Sequence, residues 1–309
     1  MQKAYINALY KLLKEDKNVI SCLSDSGTDY DEMIARELPN QVINFGISEN
    51  NKVAAASGLA SQGKIPFVYT TNAFIAYRSY EFVRDDICLQ NRNVKLVGMG
   101  SNLSWSTLGC THHTTEDISA LKALPNLIIL NPASPKELEK CIEEAYKING
   151  PVYIRMGMSG EEEIYEKDCK FKLGKNNKIK EGKDGVVFSS GYIISEVLKA
   201  VNKLEEKDHL SLSVINISTI KPFDDKSIIK ESINNKLIFS VEEGNIIGGV
   251  GSSIADVIAE NNLNTRLVKI GLNDTFGKGY GTREEVLEMN KLDSESIYKA
   301  IRKELKKTM

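Results

Sequence analysis

Asn44-Phe45-Gly46-Ile47-Ser48-Glu49-Asn50 is the stretch whose reading decides the fold. Ahead of it, Gln41-Val42-Ile43-Asn44 reads as a short buried strand. Behind it, Asn51 to Gln62 reads as a helix rich in small residues (Ala54, Ala55, Ala56, Gly58, Ala60). Gly46 permits a sharp turn, and Ser48 is a good helix N-cap. Glu49 then falls in the first turn of a helix at the carboxyl end of a strand, where open α/β sheets place their ligands. Two readings of Glu49 follow. One is an acid stabilised by the helix dipole, worth about 0.3–1 kcal/mol. The other is a carboxyl group in an apolar pocket, aimed at a cofactor, where desolvation outweighs the dipole and a proton is held or shared near neutral pH.

Composition narrows the choice. A chain of 309 residues is long enough for two domains of ordinary size. Its 41% hydrophobic and 27% charged content is that of a soluble globular protein. With 40 basic and 42 acidic residues the net charge is −2, which offers no footing for nucleic acid or an anionic membrane. No apolar run reaches the length of a spanning helix, and the N-terminus lacks a signal-peptide pattern. The five cysteines (Cys22, Cys88, Cys110, Cys141, Cys169) form no CxxC pair and no zinc spacing, so a reduced cytoplasmic compartment fits.

Strands and helices alternate on both sides of the opening stretch. Gln2 to Lys14 is amphipathic, and Asn18 to Leu23 is a strand ending in the polar turn Ser24-Asp25-Ser26-Gly27-Thr28-Asp29. Asp25 is either a turn residue or a second acid facing the crevice of Glu49. Pro66 to Thr70 is a strand, and Phe74 to Leu89 a helix with Phe74, Tyr77 and Tyr80 at every third position. That stripe packs against a core, or it stacks a flat heterocycle, and the two tyrosine hydroxyls need partners either way. Val94 to Met99 is the next strand. The long connection from Gly100 to Thr115 carries His112 and His113, two of the three histidines, and is a candidate for chemistry rather than for metal binding. A short helix opens at Glu116-Asp117. Leu127 to Leu130, Pro135 to Lys147 and Val152 to Ile154 are strand, helix and strand. The last strand ends at Arg155, either a surface charge or a clamp for phosphate or carboxylate. This half is a parallel α/β sheet with helices on both faces.

From Gly160 to Gly185 charge replaces apolar period, which reads as a solvated linker with one edge strand. A second α/β unit follows, with strands at 186–189, 212–215, 237–240 and 267–270 and helices at 195–204, 224–233, 251–260, 283–289 and 295–305. Glu242-Glu243-Gly244 with Gly248-Gly249-Val250-Gly251 makes a glycine-rich strand-to-helix turn. It matches GxGxxG incompletely, so close backbone packing is the reading.

The order of these pieces resembles the C-terminal half of transketolase-type thiamine diphosphate enzymes. The resemblance rests on Phe45 to Asn50, Ala54 to Gly63 with Ile65-Pro66-Phe67, Phe74 to Ile87, and Gly109-Cys110-Thr111-His112-His113-Thr114-Thr115-Glu116-Asp117. It continues through Leu124-Pro125-Asn126, Asn131-Pro132-Ala133 and Gly150 to Arg155. In the second unit it rests on Ile220-Lys221-Pro222-Phe223-Asp224, Glu242 to Gly251 and Asp274-Thr275-Phe276-Gly277. It implies two doubly wound α/β sheets: a mostly parallel pyrimidine-binding domain over 1–160, a linker over 161–184, and a smaller transketolase C-terminal-like domain over 185–309.

What the resemblance implies about the site can be stated residue by residue. Glu49 matches the glutamate that hydrogen-bonds N1′ of the cofactor's aminopyrimidine, favouring the imino tautomer whose exocyclic nitrogen takes the thiazolium C2 proton. Phe74 resembles the aromatic that stacks on that ring, with Tyr77 and Tyr80 lining the pocket and Asp25 near the thiazolium. His112 matches a substrate-channel histidine able to polarise the acceptor or shuttle a proton, with His113 beside it. Arg155 matches the arginine that binds the phosphate end of a sugar phosphate. The family's Gly-Asp-Gly…Asn segment, which holds Mg²⁺ and the diphosphate, does not occur here. The expectation is therefore one subunit of a split transferase of two-carbon ketol units. A separate diphosphate-binding, N-terminal-type transketolase subunit would complete it, as an α2β2 assembly acting on a sugar-phosphate substrate.

Departures bear on the substrate. Thr107 and Leu108 stand where ordinary transketolases carry an acidic pair, Gly100 stands at a histidine position, and Asn50 follows the key glutamate in place of another histidine. These point to a modified or deoxy sugar. Two alternatives stay open: the β subunit of a 2-oxo-acid dehydrogenase E1, and a non-catalytic regulatory homologue.

Overall fold

The computed structural model describes residues 1–25, 29–158, 161–165 and 169–307. The apolar runs of the first half form β1 (Val19–Leu23), β2 (Val42–Asn44), β3 (Ile65–Thr71), β4 (Lys95–Met99), β5 (Ile128–Leu130) and β6 (Val152–Met156), all parallel to their neighbours. β1, β4 and β6 are buried along their whole length. Helices cover both faces of this sheet, so its strands read as continuous apolar runs instead of alternating ones. The helices are α1 (Gln2–Glu15), α2 (Asp29–Glu37), α3 (Glu49–Ser61), the single turn α4 (Tyr80–Phe82), α5 (Asp117–Leu121) and α6 (Pro135–Lys147). Ser134 caps α6 and Pro135 occupies its first turn, which fixes its start. α2 has no sequence-based counterpart: DYDEMIARE carries only two adjacent large apolar residues and so shows no helical period.

The second unit holds β7 (Asn177–Lys180), β8 (Val186–Ser189), α7 (Ile194–Asp208), β9 (Ser213–Asn216), β10 (Thr219–Lys221), α8 (Asp225–Asn234), β11 (Leu237–Asn245), α9 (Val250–Glu260), β12 (Arg266–Leu272), α10 (Arg283–Met289) and α11 (Ser294–Leu305). Its sheet runs β12-β11-β8-β9-β7, with β7 as the antiparallel edge. β10 leaves this unit and pairs antiparallel with β5, so the first sheet becomes β10-β5-β6-β4-β3-β1-β2. The two units thus share a sheet, which three residues ahead of a proline did not announce.

The two sheets enclose a common middle layer. One apolar cluster joins Val53, Ile75, Ile87 and Leu121 of the first unit to Phe188, Ile215, Ile238 and Ile254 of the second. A second cluster packs α1 and α6 on the outer face of the first sheet, and a third packs α7, α10 and α11 on the outer face of the other. Glu137 of α6 pins the units together. Its buried carboxylate accepts from Ala133 N (2.7 Å), Tyr165 Oη (2.7 Å), Ser218 Oγ (2.5 Å) and Asn216 Nδ2 (2.9 Å). Burial pushes the Glu137 pKa up, and these donors oppose the push. Among the described residues, no helix is long and apolar enough to cross a membrane.

Candidate active site

The carboxyl ends of β1, β2 and β3 form one rim. Asn44 Oδ1 ties it together by accepting from Asp25 N (3.1 Å) and Gly46 N (2.9 Å). Gly46 turns the chain at φ +65°, with open space around it. Ser48 precedes α3, but its hydroxyl donates to the Phe45 carbonyl (2.8 Å) and caps no helix N–H, unlike the expectation. The bend therefore fixes the start of α3, and Glu49 is its first residue, only 3% exposed. One buried carboxylate oxygen accepts from Arg78 Nη1 at 2.8 Å, and the Arg78 side chain is 49% exposed. Lys52, one turn on, is fully buried. It donates to Ser24 Oγ and to the Tyr69 carbonyl (2.8 Å), and burial lowers its pKa to about 8 against the pull of Cys22 and Glu49.

The expected helix over 74–89 is not regular. It breaks into π-helical turns at Phe74–Arg78 and Val83–Cys88 around α4. Such widened turns shift side-chain directions and recur at functional sites. The aromatic stripe is correspondingly split. Phe74 is half-buried, with Arg78 Cζ 4.5 Å above its ring. Tyr77 is 40% exposed and donates to Glu116 Oε2 (2.6 Å), while Tyr80 donates to the Ala120 carbonyl (3.2 Å).

The histidine loop is pinched at its neck by paired backbone bonds between Asn102 and Thr114 (3.2 and 2.8 Å). At its tip, Gly109–Thr111 make a 3₁₀ turn. Gly109 has φ +72°, and the Tyr280 ring lies where a Cβ would be. His112 follows, half-buried, with Thr111 Oγ1 3.0 Å from Nδ1. Its ring stands edge-on to Phe74 (5.4 Å) and Trp105 (6.0 Å). Glu49, Arg78, Phe74 and His112 thus form a contiguous chain of contacts. Asp25 is exposed at the same rim with φ +52°, while Ser26, Gly27 and Thr28 of its turn lie outside the described residues.

Two expected substrate ligands do not reach this crevice. His113 is 3% exposed, packs beside Gly277, and has no hydrogen-bond partner at either ring nitrogen among the described residues. Burial lowers its pKa, opposed by Glu243 and Glu116. Arg155, expected to clamp phosphate, is 1% exposed and already spent. Nε and Nη2 donate to the Asp117 carboxylate (2.6 and 2.9 Å), and Nη2 also donates to Asn102 Oδ1 (2.7 Å). The guanidinium ties β6 to the neck of the histidine loop and to the first turn of α5. Asp117 lies 38 residues away in sequence, so nothing local to Arg155 announced the pairing. Sequence reading also passed over Arg78, Lys52 and Trp105. The first two had a signal, since both lie on the helices that begin at Phe74 and Glu49.

The departures have structural counterparts. Gly100 has φ +75°, and the Trp105 indole fills the place of any Cβ there. Leu108 is 43% exposed and Thr107 is exposed beside it. Asn50 Oδ1 accepts from Ser79 Oγ (3.1 Å) and so joins α3 to the π-helical segment. Glu242, in the glycine-rich turn, accepts from Val250 N (2.8 Å) and Gly251 N (3.0 Å) at the start of α9, the close packing expected of it. Among the described residues, no group of three or more His, Cys, Asp or Glu could hold a metal ion.

A buried acid, an aromatic face held close to it and a nearby imidazole are the contacts a nitrogen heterocycle needs, and comparison with known proteins bears on that fit. Residues 1–159 match the transketolase pyrimidine binding domain and residues 174–297 the transketolase C-terminal domain. One of the two subunits of an apulose-4-phosphate transketolase from Actinobacillus succinogenes is 34% identical, over 85% of this chain and 84% of its own. A 6-deoxy-6-sulfo-D-fructose transketolase subunit of Clostridium sp. is 27% identical, over 97% of this chain and 92% of its own. A solved structure described as a split gene transketolase, inactive β4 tetramer, superposes with a TM-score of 0.90. It is 31% identical and covers 99% of this chain and 98% of its own. The chain belongs to the transketolase family.

Proposed function

We propose that this chain is the pyrimidine-binding subunit of a split, thiamine-diphosphate-dependent transketolase-type enzyme that moves a two-carbon ketol unit between sugar phosphates. The observation that carries the reading is Glu49, a 3%-exposed acid at a strand's carboxyl end, joined through one half-exposed side chain to the ring of Phe74. Thiamine diphosphate, when bound, supplies the electron sink for the transferred unit. Glu49 would hold the proton at N1′ of the aminopyrimidine, in a site where low dielectric strengthens that hydrogen bond. Phe74 would stack on the pyrimidine, Tyr77 and Tyr80 would wall the pocket, and Asp25 would face the thiazolium end. His112, edge-on to Phe74, stands where it can donate to or accept from a substrate oxygen.

The diphosphate and Mg²⁺ fall to a separate subunit in this reading, as an α2β2 assembly. Support comes from the missing Gly-Asp-Gly…Asn segment and from the similarity to split-enzyme subunits. All five cysteines are free, as a reducing, cytoplasmic setting requires. The substrate is a modified or deoxy sugar phosphate: Leu108 offers an apolar surface where an acid would bind a ketose hydroxyl, and Gly100 gives its space to Trp105.

Reconstitution tests the reading. The chain mixed with its diphosphate-binding partner should transfer ketol units only with thiamine diphosphate and Mg²⁺ present, and the chain alone should not. Transfer by the chain alone, or transfer indifferent to the cofactor, contradicts the proposal. Ordinary saturation of the assembled enzyme by xylulose 5-phosphate contradicts the substrate reading alone.

A further inference from the structure

We infer that Arg78 is a displaceable stand-in for the aminopyrimidine, so that cofactor binding is an exchange of one flat nitrogen-bearing group for another. The inference rests on the cofactor reading above. A guanidinium is planar, donates N–H bonds in its plane and stacks on aromatic faces. Arg78 uses both properties at once: Nη1 donates to Glu49 at 2.8 Å while Cζ lies 4.5 Å over the Phe74 ring. Those are the two contacts assigned to the aminopyrimidine, so the two occupants exclude each other.

The arrangement also says which group moves. Glu49 is held at the first turn of α3 and is 3% exposed, whereas Arg78 is 49% exposed. Its link to Glu49 is a single hydrogen bond. The other buried acid–arginine pairs are built differently. Arg155 reaches both oxygens of Asp117 from 1% exposure, and Arg283 reaches both oxygens of Glu243 from 20%. Arg78 ends its π-helical turn, so its side chain can swing into solvent without shifting a strand or the core. Until the cofactor arrives, it compensates the buried charge of Glu49 and covers the apolar face of Phe74. The cofactor must displace it, and its affinity is lowered by whatever the Arg78 contacts are worth.

Arg78→Ala removes the competitor and leaves Glu49 unpaired in the empty site, so both changes favour the cofactor. A half-exposed ion pair with a cation–π contact is worth about a tenfold change in a binding constant. Arg78→Lys keeps the charge but not the plane and should fall between. Thiamine diphosphate with Mg²⁺ is titrated by calorimetry into the complex of the full chain with its diphosphate-binding partner. The dissociation constant should fall about tenfold for Arg78→Ala and less for Arg78→Lys. If the alanine variant fails to fold, Arg78→Gln, which lacks the charge, takes its place with the same expectation. Equal or weaker binding by the variants, with normal binding by the wild type, overturns the inference and leaves the cofactor reading standing. Binding by neither form overturns that reading and the inference with it.

Discussion

The carboxyl ends of the two sheets carry the same raw material and use it in opposite ways. Each places a buried glutamate where a strand turns into a helix: Glu49 ahead of α3, and Glu242 with Glu243 ahead of α9. In the second sheet both acids are consumed. Glu242 accepts two N–H groups from the start of α9, and Glu243 is gripped at both oxygens by Arg283 while also accepting from Leu103 N (3.0 Å). In the first sheet Glu49 has one bond, to a side chain half in solvent. Burial at a strand end therefore does not make a site. A partner that can leave does.

Substituting the matching acids breaks this contrast most sharply. Glu49→Gln should lower ketol transfer by the assembled enzyme about 10³-fold, within the range for a proton-holding group, and shift the melting temperature of the free chain little. Glu242→Gln should do the reverse, loosening the start of α9 with activity per folded molecule retained. Equal losses of activity in both variants would erase the distinction. Glu243→Gln tests the buried pair itself. Leaving Arg283 without its counter-charge should cost about 3 kcal/mol in urea unfolding, and a change below about 1 kcal/mol would show the pair to be dispensable. The rim glycines give a smaller contrast. Both have positive φ, but Gly46 faces open space and Gly100 faces the Trp105 indole. Gly100→Ala should cost about 2 kcal/mol and Gly46→Ala about 1 kcal/mol, from strain with and without a clash.

The smallest effect concerns buried cations away from both acids. Lys95 is fully buried, donates to the carbonyls of Ile148 (2.7 Å) and Gly150 (2.8 Å), and has its pKa lowered to about 7 by burial. Lys52 is lowered to about 8. Each folded value lies below the ordinary lysine value of about 10.4, so between these limits the unfolded chain holds more protons and stability rises with pH. The slope is at most about 1.4 kcal/mol per pH unit for each lysine. Melting temperatures measured from about pH 6 to 9 should climb, and Lys95→Met should flatten the climb.

Much of the fold could be read where local chemistry and tertiary environment agree. α6 and α10 begin at capping residues, Ser134 with Pro135 and Thr282 with Glu285, and their ranges are legible from the sequence. The position of Glu49 at a ligand-bearing rim followed from the strand, Gly46 and the small-residue helix. What escaped depends on partners distant in the chain. β10 is recognisable only beside β5, Arg155 is claimed by Asp117 across the histidine loop, and His113 is covered by the segment at Gly277. The π-helical turns escaped for another reason: an aromatic every three residues fits a regular helix as well as a widened one.

The most direct test of the central claim is the distance from Glu49 to N1′ of thiamine diphosphate in a structure of the assembled enzyme with cofactor and Mg²⁺. A carboxyl oxygen within hydrogen-bond reach, about 3 Å, with the pyrimidine over Phe74 and Arg78 turned away, is the result expected here. A cofactor bound elsewhere, while Glu49 keeps its bond to Arg78, would contradict it.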